Sequence, residues 1–400
     1  MSDQNSGEIP TPGNVSNLDD LTYSELRQLA TQYEEVDGSA SSEEIKEQLR
    51  ATGDFADDDP QPVGVKLGST RTVVVAPDGK GGTNIHRTLT CLATYEDALT
   101  GEERVLYGDQ AATEYPDRVQ YMLRSGLPQD QRSTELAKQF FSAFIASHDL
   151  PENSAVVYAI PALENEQGLE HLKDVIESSN IGNALIRSYP ESLCASIPAM
   201  GDGLRAIDDI FIAINMGSTN LEASAYRRGE QVTRYATGAV TGNEVDRRIA
   251  SYVQEETQGR VNIDRTTARE YKEQYADFVS FQSFTDVVQQ PGGGAHEFTI
   301  EDSVMDAMEE YVDSVVDEVA NNFLPRVAND HMKTYNTALE RPIVLTGGMV
   351  AVRGITEEIE KRLSAELQRE IDVIGPEDPV SAAAEGAQRI AARLVEQEAY

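Results

Sequence analysis

The sequence predicts an α/β protein of two related mixed-sheet lobes preceded by a small helical module. Three observations carry this expectation. VKLGSTRTVV (Val65–Val74) and INMGSTNLEA (Ile214–Ala223) each read as strand, Gly-Ser-Thr turn and strand. Each is followed by alternating helical and strand-like segments, so one order of elements occurs twice. Further on, IVLTGGMVAVRG (residues 343–354) places a glycine pair between a buried strand and a helix.

At 400 residues the chain can bury two cores. The net charge of -36 is spread along the whole length, and Lys (8) is scarce beside Arg (25). Distributed carboxylates with few lysines suit a solvated surface in a halophilic cytoplasm, where salt screens self-repulsion. The same charge argues against nonspecific binding to DNA or anionic lipid at low salt. Cys91 and Cys194 lie too far apart in sequence for a zinc motif or a disulfide framework, and the five His form no ligand pair. No run of 18 apolar residues spans a membrane, and the polar N-terminus MSDQNSGEIPTPG lacks a signal-peptide core. A cytoplasmic location is expected.

Residues 1–17 read as a disordered tail. In 18–54, Thr22 with Glu25 and Ser41 with Glu44 have capping-box spacing. Leu26, Leu29, Ala30 and Tyr33 line one helical face, Ile45 and Leu49 the next. This pair resembles the small SAP and HeH modules, several of which bind DNA. Arg27, Lys46 and Arg50 are its only bases, which favours a cargo or a DNA-associated protein as partner over DNA itself. Residues 55–61 form a linker.

Lobe I is expected over 62–208, with the closing helix 380–398, and lobe II over 209–379. Lobe I opens on a hairpin (62–76). A mixed, turn-rich stretch follows (83–120), then a helix (133–149) burying Phe140, Phe141 and Phe144, a strand (155–161), a helix (166–180), a strand (184–190) and a helix from Glu191. Lobe II opens on the second hairpin. Helices follow over 244–258, 266–280 and 302–324, then the glycine-pair segment. PGGGAHE (291–297) reads as a loop tip, and MGDGLR lacks the third glycine of a dinucleotide fold.

A Gly-Ser-Thr turn between antiparallel strands presents amides and hydroxyls to an anion, and glycine allows close approach. Two such turns on opposite lobes can grip one polyphosphate, with the glycine pair left for a nucleoside.

This set, in this order, resembles the superfamily of actin, the heat-shock chaperones and the sugar kinases. It is most similar to MreB-like and plasmid-partition actin-like proteins; with a halophilic composition that points to an archaeal member, it resembles the salactin type of haloarchaeal filament protein. The family's first loop, Asp-Leu-Gly-Thr-x-x-Thr, is matched by KLGSTRT, and its second, Asp-x-Gly-Gly-x-Thr-x-Glu, by NMGSTNLE. Its connecting Glu-Pro-x-Ala-Ala is matched by PESLCAS, and its Gly-Asp-x-x-Asp by GNEVDRRIASYV. Thr-Ala-Glu-x-x-Lys is matched by TTAREYK, with Arg269 at the acid's place. LTGGMVAVRG and DPVSAAAEGA complete the set.

The resemblance implies an actin-like bilobed fold binding ATP between its lobes, self-association into nucleotide-dependent dynamic filaments, and a task in DNA partitioning or cell organisation. It assigns Lys66, Gly68, Ser69, Thr70, Arg71, Asn215, Gly217, Ser218, Thr219 and Asn220 to the phosphates. Gly242, Arg269, Lys272, Gly347, Gly348 and Met349 fall to the nucleoside, and Glu191 to the attacking water.

In the family the two loop aspartates hold magnesium; here Lys66 and Asn215 replace them, and no residue is assigned to a metal. Either the Lys66 ammonium takes over part of the metal's charge, or Lys66 turns to solvent and the site is catalytically dead. Magnesium and hydrolysis are therefore left open. The alternative to a filament ATPase is a non-polymerising nucleotide-sensing pseudo-ATPase or division adaptor.

Overall fold

The computed structural model describes residues 18, 21–33, 36–52, 60–148, 150–201, 203–289 and 295–398. The expected tail 1–17, most of the linker and residues 291–294 of the expected loop tip lie outside the described residues; the rest of that tip, 295–297, is not loop but the start of a strand, because it pairs with residues 287–289. The chain divides into two units, Met1–Pro60 and Gln61–Tyr400.

The first unit holds α1 (Tyr23–Ala30) and α2 (Ser42–Ala51). Both capping boxes close: the Thr22 and Ser41 amides donate to Glu25 and Glu44 at 2.8 and 2.9 Å, and the glutamate amides donate back to the two hydroxyls. Leu26, Leu29, Ile45 and Leu49 are fully buried against one another.

In the second unit, lobe I runs β1 (Gln61–Leu67), β2 (Arg71–Pro77), β3 (Thr83–Leu89), β4 (Cys91–Glu96), β5 (Glu103–Tyr107), α3 (Gly108–Glu114), β6 (Gln120–Tyr121), α4 (Gln131–Ala146), β7 (Ser154–Ile160), α5 (Glu166–Glu177), β8 (Leu185–Pro190) and α6 (Glu191–Ala199). The turn-rich stretch 83–120 thus supplies the edge strand β3 and a small separate sheet, β5-β4-β6. Lobe II runs β9 (Ile210–Met216), β10 (Leu221–Arg227), β11 (Glu230–Thr237), α7 (Gly242–Glu256), α8 (Arg265–Tyr275), β12 (Phe284–Gln289), β13 (Ala295–Ile300), α9 (Ser303–Asp317), α10 (Leu324–Asp330), α11 (Met332–Ala338), β14 (Ile343–Thr346), α12 (Ile355–Leu367) and β15 (Val373–Ile374); α13 (Ala382–Glu398) closes the chain.

Three expectations change in detail. The second hairpin is a meander, because β11 continues it. The helix expected over 302–324 reaches Asp330 through a π turn at Glu318–Phe323. The helix expected over 266–280 stops at Tyr275, where Ala276 turns extended and Asp277 caps a turn through the amides of Val279 and Ser280.

The two main sheets have the same order, β3-β2-β1-β7-β8 and β11-β10-β9-β14-β15. In each, the hairpin is antiparallel and its first strand then pairs in parallel with a strand from later in the chain. β1 shows why the site sits where it does. Val63, Val65 and Leu67 pack into the core with Phe140 and Phe141. The alternate residues Gly64 and Lys66 point to the opposite face. There α13 lies so close that a Cβ on Gly64 would stand 2.0 Å from the Ala384 carbonyl. The backbone contact of α13 thus fixes the face on which Lys66 emerges.

Candidate nucleotide site

The two Gly-Ser-Thr turns meet face to face. Each is closed alike, Gly68 donating to the Arg71 carbonyl at 3.1 Å and Gly217 to the Asn220 carbonyl at 2.9 Å. Thr70 Oγ1 donates to Ser218 Oγ at 2.8 Å, and Thr219 Oγ1 to Ser69 Oγ at 3.2 Å, so the serine of each turn meets the threonine of the other. The Gly126 and Ser125 amides donate to the Ser69 and Thr219 hydroxyls at 2.7 and 3.1 Å.

Beside the turns lies a cavity of about 420 Å³, a size that suits a small-molecule ligand. All ten residues assigned to phosphates line it, as do Glu191, Arg269, Lys272, Gly348 and Met349. Gly242 and Gly347 stand behind the lining. Gly242 is tied to the second turn through its amide, which donates to the Gly217 carbonyl at 3.0 Å. Gly347 has φ +91°, and a Cβ there would lie 2.5 Å from the Met216 carbonyl. Only glycine fits both the dihedral and the space.

Lys66 neither reaches into solvent nor stands alone. Its Nζ lies 2.8 Å from Glu191 Oε1, with the two side chains 15% and 14% exposed. Asn215 is buried, its Oδ1 3.4 Å from Thr346 Oγ1 at the end of β14. At the other end of the cavity Lys272 holds the buried Asp246 at 2.5 Å and donates to the Gly242 carbonyl at 3.2 Å. Arg269 lies 3.5 Å from the same carboxylate and donates to the Tyr121 hydroxyl of lobe I at 3.2 Å. Arg71 and Glu273 make a second link between lobes at 2.9 Å.

Sequence reasoning left Glu222, Asp246, Glu273 and Tyr121 out of the site. Glu222 and Asp246 stood inside quoted motifs, but nothing local marks a carboxylate as buried. Glu222 is fully buried, and accepts from the Ala162 amide at 3.0 Å and from the Asn220 amide group. Burial first, then the neighbouring Glu191 carboxylate, pushes its pKa up to about 7, against the Ala162 and Asn220 hydrogen bonds and Lys66.

Chemically, the arrangement offers hydroxyls, turn amides and the cations Lys66, Arg71, Arg269 and Lys272 to a polyanion. That donor set fits a nucleotide polyphosphate. It does not present the paired loop carboxylates that a magnesium ion favours. Among the described residues no group of three or more His, Cys, Asp or Glu could hold a metal, and no helix is long and apolar enough to cross a membrane.

Two lobes of one topology, joined across paired turns over a cleft, define an actin-like protein. Comparison with known proteins makes this specific. The salactin family model matches residues 60–395. Salactin of Halobacterium salinarum is 61% identical over 337 residues, 84% of this chain and 93% of that protein. Among solved structures, MreB5 of Spiroplasma citri bound to ADP superposes with a TM-score of 0.65 at 19% identity, covering 86% of this chain and 99% of the other. The MamK double helical filament gives 0.65 at 18% identity, covering 82% and 98%. The chain belongs to the salactin family of actin-like cytoskeletal proteins. Helices α1 and α2 precede the matched residues.

Proposed function

We propose that this protein binds ATP between its lobes and forms nucleotide-dependent dynamic filaments that move or organise a cellular cargo such as DNA. The observation that carries this reading is the facing pair of Gly-Ser-Thr turns beside a cavity lined with cations from both lobes. A ligand held by both turns stabilises the closed arrangement of the lobes over an open one, which is how occupancy can bias subunit contacts. Lys66, Arg71 and the turn hydroxyls hold the phosphates. Lys272, Arg269 and the Gly347–Met349 turn hold the nucleoside. Glu191 orders the water for hydrolysis. Support also comes from two proteins of the same fold, MreB5, solved with ADP and with AMPPNP, and MamK, solved as a double helical filament. The N-terminal helical pair is the cargo adaptor, with a protein partner.

The Lys66–Glu191 pair favours one second reading, a nucleotide-sensing pseudo-ATPase, because an ammonium on the water-ordering carboxylate blunts it. Light scattering in multimolar KCl after a limited pulse of ATP separates the two. A rise followed by a fall as ATP runs out is the expected result. A rise that holds means assembly by binding alone. No rise, with ATP bound, removes the filament reading and leaves the sensor.

A further inference from the structure

The Lys66–Glu191 pair has a competitor built into its surroundings. Lys66 stands on β1, two residues before Gly68 of the first turn, and Glu191 is the first residue of α6. Both line the cavity that the turns border. Beyond them sits the buried Glu222, which the Ala162 amide and Asn220 hold in place. The ammonium therefore pairs with Glu191 in the cavity lining and acts at a distance on the Glu222 carboxyl, which lies outside that lining. Oxygens of a bound polyphosphate offer the same ammonium a more highly charged partner, and charge-assisted hydrogen bonds are at their strongest where water is scarce.

We propose that Lys66 is exchanged between two partners, Glu191 in the nucleotide-free protein and phosphate oxygens in the nucleotide-bound one, so that filling the cleft releases the Glu191 carboxylate. The inference rests on the ATP reading above and gives a use to the lysine that stands in the aspartate's place. The base is masked while the cleft is empty and unmasked when a triphosphate is present. In the hydrolytic step a water oxygen bonds to the γ-phosphorus as the bond from that phosphorus to the β–γ bridging oxygen breaks. The electron pair of the broken bond leaves on the diphosphate, and the water proton passes to a Glu191 oxygen. Lys66 stays on the phosphates throughout.

Exchange makes Glu191 an opponent of nucleotide binding, and this is measurable without turnover. ATP affinity is determined by titration calorimetry in multimolar KCl without magnesium, for the full chain and for Glu191→Gln, Lys66→Met and the double variant. With Lys66 present, Glu191→Gln is expected to tighten ATP about tenfold, the worth of one charge-assisted partner. In the Lys66→Met background the same change is expected to give about threefold or less, the general effect of removing one negative charge near the phosphates. Lys66→Arg keeps the cation and is expected to keep most of the coupling, and thermal melts of each variant show that it is folded. Equal effects of Glu191→Gln in both backgrounds, or a weakening of ATP by Glu191→Gln, overturn the exchange. A native chain that binds no ATP overturns the nucleotide reading, and the exchange with it.

Discussion

The two hairpins have matching backbones and contrasting side chains. Both turns close with the same hydrogen bond, and both sit at the same place in sheets of the same order. On the paired strands, lobe I sets Lys66 opposite Val73, while lobe II sets Asn215 opposite Glu222. Val73, Asn215 and Glu222 are buried, so the first lobe brings a cation to the cavity lining while the second buries a carboxyl group away from it. Asn215 packs against the end of β14, whereas Lys66 reaches an acid at the start of α6 in its own lobe. A duplicated turn preserves an anion-binding shape through its backbone, and this leaves the flanking positions free to take different charges.

The contrast can be broken most severely at Gly347, which has no equal in the first lobe. Gly347→Ala meets both the positive φ and the Met216 carbonyl, and is expected to cost about 3 kcal/mol or more. A melting temperature close to that of the native chain would show that the turn can relax.

Glu222 comes next. Its folded-state pKa, about 7, exceeds the ordinary 4.5. The folded chain therefore binds this proton more tightly than the unfolded chain does, and stability falls as pH rises from about 4.5 to about 7. Glu222→Gln should remove that loss and raise stability at pH 8 by about 3 kcal/mol, with little change at pH 4. Denaturation in multimolar KCl at the two pH values checks it, and an equal shift at both would show that charge is not the cause.

Lys66→Asp restores the acid of the first loop. Its ratio of ATP affinities with and without magnesium is expected to rise about tenfold, and that of Asn215→Asp about threefold, since Asn215 is packed away. An unchanged ratio in Lys66→Asp would mean that Lys66 does not stand in for metal charge. The smallest effect belongs to Arg71→Ala. The Arg71–Glu273 link is 37% and 43% exposed, so multimolar salt should hold its contribution to stability below about 0.5 kcal/mol.

Much of this protein is decided within a few residues of chain, and that part was readable from the sequence. A capping box joins residues three apart, so Thr22–Glu25 and Ser41–Glu44 followed from spacing alone. Strand alternation and the Gly-Ser-Thr turns are equally local, and they placed both hairpins and the cavity lining from Gly68 to Arg71 and from Gly217 to Asn220. The order of motifs carried the fold. What escaped was decided between distant segments. The stretch 83–120 divided between two sheets because β3 pairs with β2, outside it, while β4 pairs with β5 and the short β6. Lys66 took Glu191 because α13, packed against β1 at Gly64, fixes the face on which Lys66 emerges, and the start of α6 lies on that face. Glu222 took up its proton affinity from burial beneath the Ala162 segment. Spacing determines the shape of a turn because bonds and dihedrals act over a few residues. Charge pairing and desolvation depend on what folding brings alongside, so only the tertiary structure decided which acid Lys66 would hold.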